Sequence, residues 1–155
     1  MNAQNTTQNA WSPEDCDRTV AALQNADSLR ILVVGDLMVD AYLLGRVDRI
    51  SPEAPVPILR ASLRERRPGG AANVALNLKA LGAAVTVGGV IGHDQDGRDL
   101  QKALEEQGMD SDAIVALSDR RTTVKTRVMS GGQHLLRVDE EDDADLNRED
   151  AQQFL

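Results

Sequence analysis

Uninterrupted apolar runs mark the predicted strands of this chain. The run RILVV at residues 30–34 shows no alternation of polar and apolar side chains, which is typical of a strand buried on both faces of a parallel sheet. Shorter apolar runs predict further strands at residues 83–87 and 113–117. These runs together predict a core of parallel strands.

Apolar residues spaced three and four apart predict helices between the strands. We expect helices at residues 12–26, 71–81 and 96–107, and a last helix that begins at Asn147. A Ser-Pro pair is a typical start for the first helix, and a glycine follows the second and the third as a typical helix end. The predicted inward faces are Cys16, Val20 and Leu23, then Val74, Leu78 and Leu81, then Leu100, Ala103 and Leu104.

Two segments fit neither pattern. Three prolines exclude a helix at residues 42–67, where we expect an irregular extended strand with Pro57 at a sheet edge. Residues 122–139 alternate in polarity around Gly131-Gly132, which predicts a β-hairpin with its turn at the two glycines. Extended pieces therefore leave the predicted core at two points.

Composition excludes several classes of partner. The formal net charge is −8 and the aromatic residues are Trp11, Tyr42 and Phe154, whereas a nucleic-acid binder needs a basic surface and usually stacking rings. The single cysteine, Cys16, allows no internal disulfide and favours a reducing compartment; we interpret it as a small packed residue, not a nucleophile. No apolar run approaches the ~20 residues of a membrane span, and the polar residues 1–10 predict disorder, not a signal peptide. We expect a soluble cytoplasmic protein without a nucleic-acid or membrane partner.

The helix start at Gly69-Gly70 is the first candidate for binding chemistry. Glycines let a ligand approach the main chain, and the free N–H groups of a helix start suit a phosphate or a sugar oxygen. Asn73 lies in the first turn, where its amide can both donate and accept hydrogen bonds. The alternative is that the glycines only make a tight entry and Asn73 helps to cap the helix, and local chemistry alone favours it.

Acidic residues give a second candidate. Asp40 follows the strand at residues 30–34, and ligands of open α/β sheets bind beyond the carboxyl ends of strands. Its carboxylate could accept hydrogen bonds from two neighbouring hydroxyls; the alternative role is turn formation or solvation. We interpret the acids of residues 93–97 as a capping turn and those of residues 140–143 as a solvated linker, so no metal site is predicted.

Three cations on the predicted hairpin give a third candidate. Lys125 and Arg127 lie two apart on one face of its first arm, and Arg137 lies on the second arm. Such a cluster suits a phosphorylated substrate, which arginine binds in bidentate fashion and lysine as a point charge. The alternative is a solvated outer face whose charge residues 140–143 balance, and both interpretations remain open.

A family resemblance changes the weight of these alternatives. The segment RPGGAANVALNLKALGAAVTVGGVIG resembles the first signature of the ribokinase-like sugar kinases, also called the phosphofructokinase-B family. The resemblance implies an α/β fold with a partial parallel-sheet core over residues 29–155, a small β lid from residues 41–67 and 121–139, and an extension at residues 1–28. It also implies that Asp40 holds sugar hydroxyls. The matching positions are Gly69, Gly70, Ala71, Asn73, Ala75, Gly82 and Gly92.

A longer stretch narrows the resemblance. GDLMVDAYLLGRVDRISPEAPVPIL, together with RPGGAANVALNL, closely resembles the kinase part of the D-glycero-β-D-manno-heptose-7-phosphate kinases, which supply activated heptose for lipopolysaccharide. This implies transfer of a phosphoryl group from Mg-ATP to the anomeric hydroxyl of heptose 7-phosphate. It also implies a homodimer formed through the lid.

The resemblance also implies parts that this chain lacks. Kinases of the family carry a Gly-Ala-Gly-Asp segment with the catalytic aspartate, and neither it nor a Gly-x-x-x-x-Gly-Lys-Ser/Thr loop occurs in the 155 residues. We therefore expect a sugar-binding amino-terminal half that needs the other half of the kinase domain, is inactive alone, and is poorly stable or oligomeric by itself. A non-catalytic sugar-phosphate-binding or dimerising remnant, or another sugar kinase of the same fold, remains an alternative.

Overall fold

The computed structural model describes residues 11–154, so the disorder predicted for residues 1–10 lies outside the described residues. A short 3-10 helix at Ala26–Ser28 follows the first α-helix. The other elements are, in order, α1 (Pro13–Gln24), β1 (Arg30–Val34), β2 (Leu37–Ile50), β3 (Pro57–Gly70), α2 (Ala71–Ala80), β4 (Ala84–Gly92), α3 (Gln95–Glu106), β5 (Asp110–Leu117), β6 (Thr123–Ser130), β7 (Gln133–Glu140) and α4 (Arg148–Phe154).

The first sheet has three parallel strands in the order β1-β4-β5. The helices α2 and α3 pack on one of its faces, where Val85, Val87 and Leu104 belong to one hydrophobic core. Two crossover helices between parallel strands are the usual α/β arrangement, because each helix buries its apolar stripe on the sheet. The three predicted core strands are confirmed, and β4 continues five residues beyond its predicted end, to Gly92.

The opposite face of β1 is open, contrary to the prediction of a strand buried on both faces. Val33 is buried, but Leu32 is 62% exposed and Val34 is 55% exposed. Successive side chains of a strand point to opposite faces, and within residues 11–154 the helices α2 and α3 cover only the face of Val33. An uninterrupted apolar run identifies a strand correctly, but it does not show which neighbours cover each side.

The predicted inward face of α1 is wrong, and that of α2 is right only for Leu78, which packs partly buried against the core. Ala72 and Ala75 are the buried residues of α2, whereas Val74 is 50% exposed, because the small alanine side chains bring the helix axis close to the sheet. The helix α1 has no buried residue, so Cys16 is an exposed free thiol and not a packed one. Its predicted start is confirmed: the Ser12 side chain accepts a hydrogen bond from the Asp15 backbone, and the Asp15 carboxylate accepts one in return.

The second sheet has four strands in the order β3-β2-β6-β7. β2 pairs with β3 and β6 with β7 in antiparallel fashion, whereas β2 and β6 are parallel. The predicted hairpin is confirmed, with positive φ angles of 57° at Gly131 and 81° at Gly132. Pro57 begins the edge strand β3, as predicted, since proline lacks the N–H that an inner strand would use.

A buried polar junction joins the two sheets. The Asp94 carboxylate caps α3 by accepting from the Gly97 N–H at 2.8 Å, and it also accepts from the Thr122 N–H and hydroxyl, both at 2.8 Å. The Thr122 hydroxyl in turn accepts from the Gly92 N–H at 2.9 Å. The predicted capping turn at residues 93–97 is confirmed. The same carboxylate fixes the start of β6 against the end of β4.

Candidate functional site

The candidate site begins where β3 runs directly into α2 without an intervening loop. Gly70 is the last residue of β3 and the cap of the helix, with φ 55° and ψ −131°. The next N–H, of Ala71, donates to the Asp36 carbonyl at 2.9 Å. A Cβ atom at position 70 would lie 2.4 Å from that carbonyl oxygen, so the turn requires glycine. The predicted glycine loop is therefore a strand end that turns sharply into a helix.

Gly69 makes room for the carboxylate of Asp40. A Cβ atom at position 69 would lie 2.6 Å from Asp40 Oδ2. Asp40 lies inside β2, where it is paired with Arg67 of β3. The alternative of turn formation is wrong, because β2 begins at Leu37, only three residues after the end of β1, and continues past Asp40. The carboxylate is thus fixed beside the backbone that leads into α2.

Arg127 holds the other oxygen of this carboxylate. Its Nη1 atom donates to Asp40 Oδ1 at 2.5 Å, and both side chains are 23% exposed. This hydrogen bond, more than any other influence, raises the pKa of Arg127. Within residues 11–154, no side chain or backbone group donates to Asp40 Oδ2. One carboxylate oxygen is therefore free to accept hydrogen bonds from a ligand.

Sheet register brings the remaining charged residues to the same side as Asp40. Residues directly opposite in neighbouring strands share a face, and Asp40 is opposite Lys125 while Arg127 is opposite Arg137. The predicted placement of Lys125 and Arg127 on one face is confirmed, and Arg137 joins them. We call this side of the second sheet the charged face; its residues are Asp40, Tyr42, Glu65, Arg67, Lys125, Arg127, Arg137 and Asp139.

Each predicted phosphate-binding cation already has a carboxylate partner. Lys125 donates to Glu141 at 2.6 Å, which raises its pKa, and lies 3.4 Å from Asp139. Arg137 makes two hydrogen bonds of 2.8 Å to Asp139, and these lower the pKa of that carboxyl group. A phosphate on this face would have to share or replace these carboxylate partners.

The acidic run at residues 140–143 is more than the solvated linker that the sequence predicted. Glu141 binds Lys125, and Glu140 lies 2.9 Å from Arg121. Two of the four acids are therefore tied to cations of the second sheet and of the segment that leads into β6. Charge balance by residues 140–143, the alternative to phosphate binding, therefore applies to Lys125. It does not apply to Arg127 and Arg137, whose partners Asp40 and Asp139 lie in strands.

Asn73 occupies the first turn of α2, as predicted, but it does not cap the helix. Gly70 is the cap residue, and within residues 11–154 the Asn73 side-chain amide has no hydrogen-bond partner. The backbone carbonyl of Asn73 accepts a hydrogen bond from the Asn77 side chain at 3.0 Å. The exposed amide is therefore available to a ligand, and the capping alternative is wrong.

Sequence reasoning missed four residues of the charged face, namely Tyr42, Glu65, Arg67 and Asp139. The guanidinium carbons of Arg67 and Arg127 lie 5.6 Å and 5.4 Å from the centre of the Tyr42 ring, within the range of cation–π attraction. Strand alternation from Asp40 to Tyr42 would have revealed the tyrosine if β2 had been recognised as a strand. Arg67 could not be placed without the pairing of β2 and β3.

A cleft of about 660 Å³ opens next to the charged face, beyond the carboxyl end of β1. Its lining includes Asp36, Arg121, Lys125, Glu141 and Phe154, so Lys125 belongs to both the cleft and the charged face.

Among residues 11–154, no three His, Cys, Asp or Glu side chains converge in a way that could hold a metal ion. Over the same residues, no helix combines the length and the apolar character that a membrane crossing requires.

A three-stranded parallel α/β core joined to a second, four-stranded sheet places the chain in the class of ribokinase-like sugar kinases. The solved fructokinase of Xylella fastidiosa with bound ATP has this fold: it is 26% identical, with a TM-score of 0.57 over 72% of this chain and 33% of that chain. Residues 28–155 match the family described as pfkB family carbohydrate kinase. The chain belongs to this family, and the predicted resemblance and fold class are confirmed.

Two curated relatives are more similar to this chain in sequence than the fructokinase is. The bifunctional protein HldE of Trichlorobacter lovleyi is 49% identical over 132 residues, which cover 85% of this chain and 27% of the relative. The D-beta-D-heptose 7-phosphate kinase of Bordetella bronchiseptica is 54% identical over 110 residues, covering 71% of this chain and 35% of the relative. The matched part of this chain therefore spans about a quarter to a third of the relatives' length.

Proposed function

We propose that this chain is the sugar-binding part of an ATP-dependent kinase that phosphorylates the anomeric hydroxyl of heptose 7-phosphate. The observation that carries the proposal is the charged face, where the free oxygen of Asp40 lies among four cations. The similarity to the relative named D-beta-D-heptose 7-phosphate kinase supports this choice of sugar. A sugar phosphate needs both a hydroxyl acceptor and cations, and this face supplies both.

The residues have distinct proposed roles. Asp40 accepts hydrogen bonds from sugar hydroxyls through Oδ2, and the exposed amide of Asn73 donates and accepts at the same sugar. The backbone at Gly69-Gly70 gives the sugar close access to the helix start. Three cations, Lys125, Arg127 and Arg137, bind the phosphate by exchanging part of their carboxylate contacts for charge-assisted hydrogen bonds to phosphate oxygens.

The nucleotide is proposed to bind outside the residues that this chain supplies. The fructokinase solved with bound ATP supports ATP use by this kinase. The 155 residues, however, contain no Gly-Ala-Gly-Asp segment and no Gly-x-x-x-x-Gly-Lys-Ser/Thr loop to cradle its phosphates. We therefore propose that a further part of the kinase holds Mg-ATP and the catalytic aspartate. The single cysteine and the sugar-phosphate substrate support a cytoplasmic location.

The second sheet is also the proposed contact of a homodimer. Its edge strand β7 exposes Leu135, Leu136 and Val138, and its other edge strand, β3, exposes Leu63. Apolar side chains on an edge of a small sheet favour association with another chain, because burial removes both apolar surface and unpaired backbone groups from water. Leu136→Glu should therefore raise the monomer fraction if the dimer forms through this sheet.

The proposed function predicts that the chain binds heptose 7-phosphate without ATP and that Asn73→Ala lowers the affinity at least tenfold, because a hydrogen-bonding partner of the sugar is lost. Isothermal titration calorimetry with the purified chain measures this. The control is Asn77→Ala, which removes an amide from the same helix and should leave the affinity unchanged. A folded chain that binds no heptose 7-phosphate would contradict the proposed function.

Gly69→Ala should lower the affinity for heptose 7-phosphate by a similar factor while changing stability little. The new methyl group would crowd Asp40 Oδ2 and the side chain of Met38, which are side-chain atoms that can move, so the carboxylate is displaced and the fold is retained. A double-mutant cycle with Asp40→Ala tests the cause. Asp40→Ala should cost little additional affinity in the Gly69→Ala background, and fully additive losses would contradict this explanation.

A further inference from the structure

The ring of Tyr42 lies between two guanidinium groups on the charged face. Tyr42 belongs to the inner strand β2, and its neighbours Arg67 and Arg127 come from β3 and β6 on either side. Their guanidinium carbons lie 5.6 Å and 5.4 Å from the ring centre. A guanidinium group attracted to a ring keeps most of its N–H groups directed outward, where they can bind an anion.

The two arginines are also the cations best able to accept a new anion. Arg67 is 66% exposed and is held by Glu65 at 2.5 Å, and exposed ion pairs of this kind contribute little to stability. Arg127 uses Nη1 for Asp40, and a guanidinium group has five N–H donors, so others remain available.

The other two cations are held more firmly by carboxylates. Lys125 is 19% exposed and has two carboxylate partners, Glu141 and Asp139. Arg137 is 56% exposed, but it is held by both oxygens of Asp139, and such a bidentate pair is stronger than the single contact between Arg67 and Glu65. An anion would have to separate these groups from closely placed negative charges, so Arg67 and Arg127 are the easier pair to engage.

The spacing along β2 matches a substrate with two different ends. Tyr42 follows Asp40 by two residues on the same face, which places it about 7 Å further along the strand. Heptose 7-phosphate carries its phosphate at the end of the molecule remote from the anomeric carbon. We propose that Arg67, Tyr42 and Arg127 together bind the phosphate group. This assignment rests on the proposed function, keeps Arg127 from it, and puts Arg67 and Tyr42 in place of Lys125 and Arg137, which keep their carboxylate partners.

The test compares two ligands that differ only in the phosphate. Calorimetric titration of the purified chain with heptose 7-phosphate and with unphosphorylated heptose should show that Arg67→Met weakens binding of the phosphorylated sugar roughly tenfold or more. Binding of the unphosphorylated sugar should not change. The matched control is Arg64→Met, which removes an arginine from the opposite face of the same strand and should leave both affinities unchanged.

Variants of Tyr42 test the contribution of the ring. Tyr42→Leu should weaken binding of heptose 7-phosphate selectively, and Tyr42→Phe should restore it, because phenylalanine keeps the face that attracts both guanidinium groups. Three results would overturn the assignment of this phosphate site and leave the proposed function standing. Arg67→Met could bind as the wild type does, or it could weaken the binding of both sugars equally. Tyr42→Phe could bind as weakly as Tyr42→Leu. If the folded wild-type chain binds neither sugar, the proposed function itself is overturned, and the assignment with it.

Discussion

Gly70→Ala should lower the free energy of unfolding by about 3 kcal/mol, the largest loss expected from a single methyl group in this chain. A φ of 55° with ψ −131° is a conformation that residues with a side chain rarely adopt. The methyl group would also lie 2.4 Å from the Asp36 carbonyl oxygen, which must then release the Ala71 N–H. Urea unfolding followed by circular dichroism measures the loss.

Gly131→Ala is the matched control for this prediction. Gly131 has a similar φ of 57°, but a Cβ atom there would meet nothing within 4 Å. Only the conformational cost should remain, about 1 kcal/mol. Equal losses in the two variants would show that the close approach to Asp36 has no energetic weight.

Asp94→Asn should lower the free energy of unfolding at pH 7 by about 2 to 3 kcal/mol. The carboxylate accepts three hydrogen bonds, from the Gly97 N–H and from the N–H and hydroxyl of Thr122. An amide has one acceptor oxygen, so its NH₂ group would face a donor at the junction of the two sheets. Asp112→Asn makes the same charge change at an exposed position and should have almost no effect.

The effect of Asp94→Asn should depend on pH in a defined direction. Burial, the largest single influence, acts to raise the pKa of Asp94, but the hydrogen bonds from Thr122 and Gly97 together with Arg98 outweigh it and lower the pKa. A carboxyl group whose pKa is lower in the folded than in the unfolded protein stabilises the fold fully when the pH is above its pKa in the unfolded protein. This stabilisation is lost as the pH falls through its pKa in the folded protein. The difference between wild type and variant should therefore shrink below about pH 4. A constant difference down to pH 2 would contradict the role of the charge.

Local signals in the sequence were reliable guides to where elements start and stop. The capping serine at position 12, the capping aspartate at position 94 and the helix-ending Gly108 all act as predicted, because each depends on contacts within a few residues. Burial was less predictable. Leu32 and Val74 look like core residues by pattern, but their exposure depends on which elements pack against β1 and α2.

The strand β2 shows why part of the candidate site escaped prediction. Gly35 and Asp36 are typical turn residues, and the sequence gives no sign that a strand of 14 residues starts directly after them. Asp40 and the hairpin cations could be identified one by one from residue type and alternation. Their ion pairs, and the contact of Tyr42 with Arg67, arise only from pairing between β2 and its two neighbours.

The parallel pairing of β2 with β6 has a consequence for the order of folding. Arg127 and Asp40 meet across 87 residues of sequence, whereas β6 and β7 are joined by a two-glycine turn and can pair within microseconds. Contacts between distant parts of a chain form late because closing a long loop costs entropy before any contact repays it. The hairpin should therefore exist before it docks on β2, and the carboxylate of Asp40 should meet the cations of the hairpin only in the slowest phase of refolding.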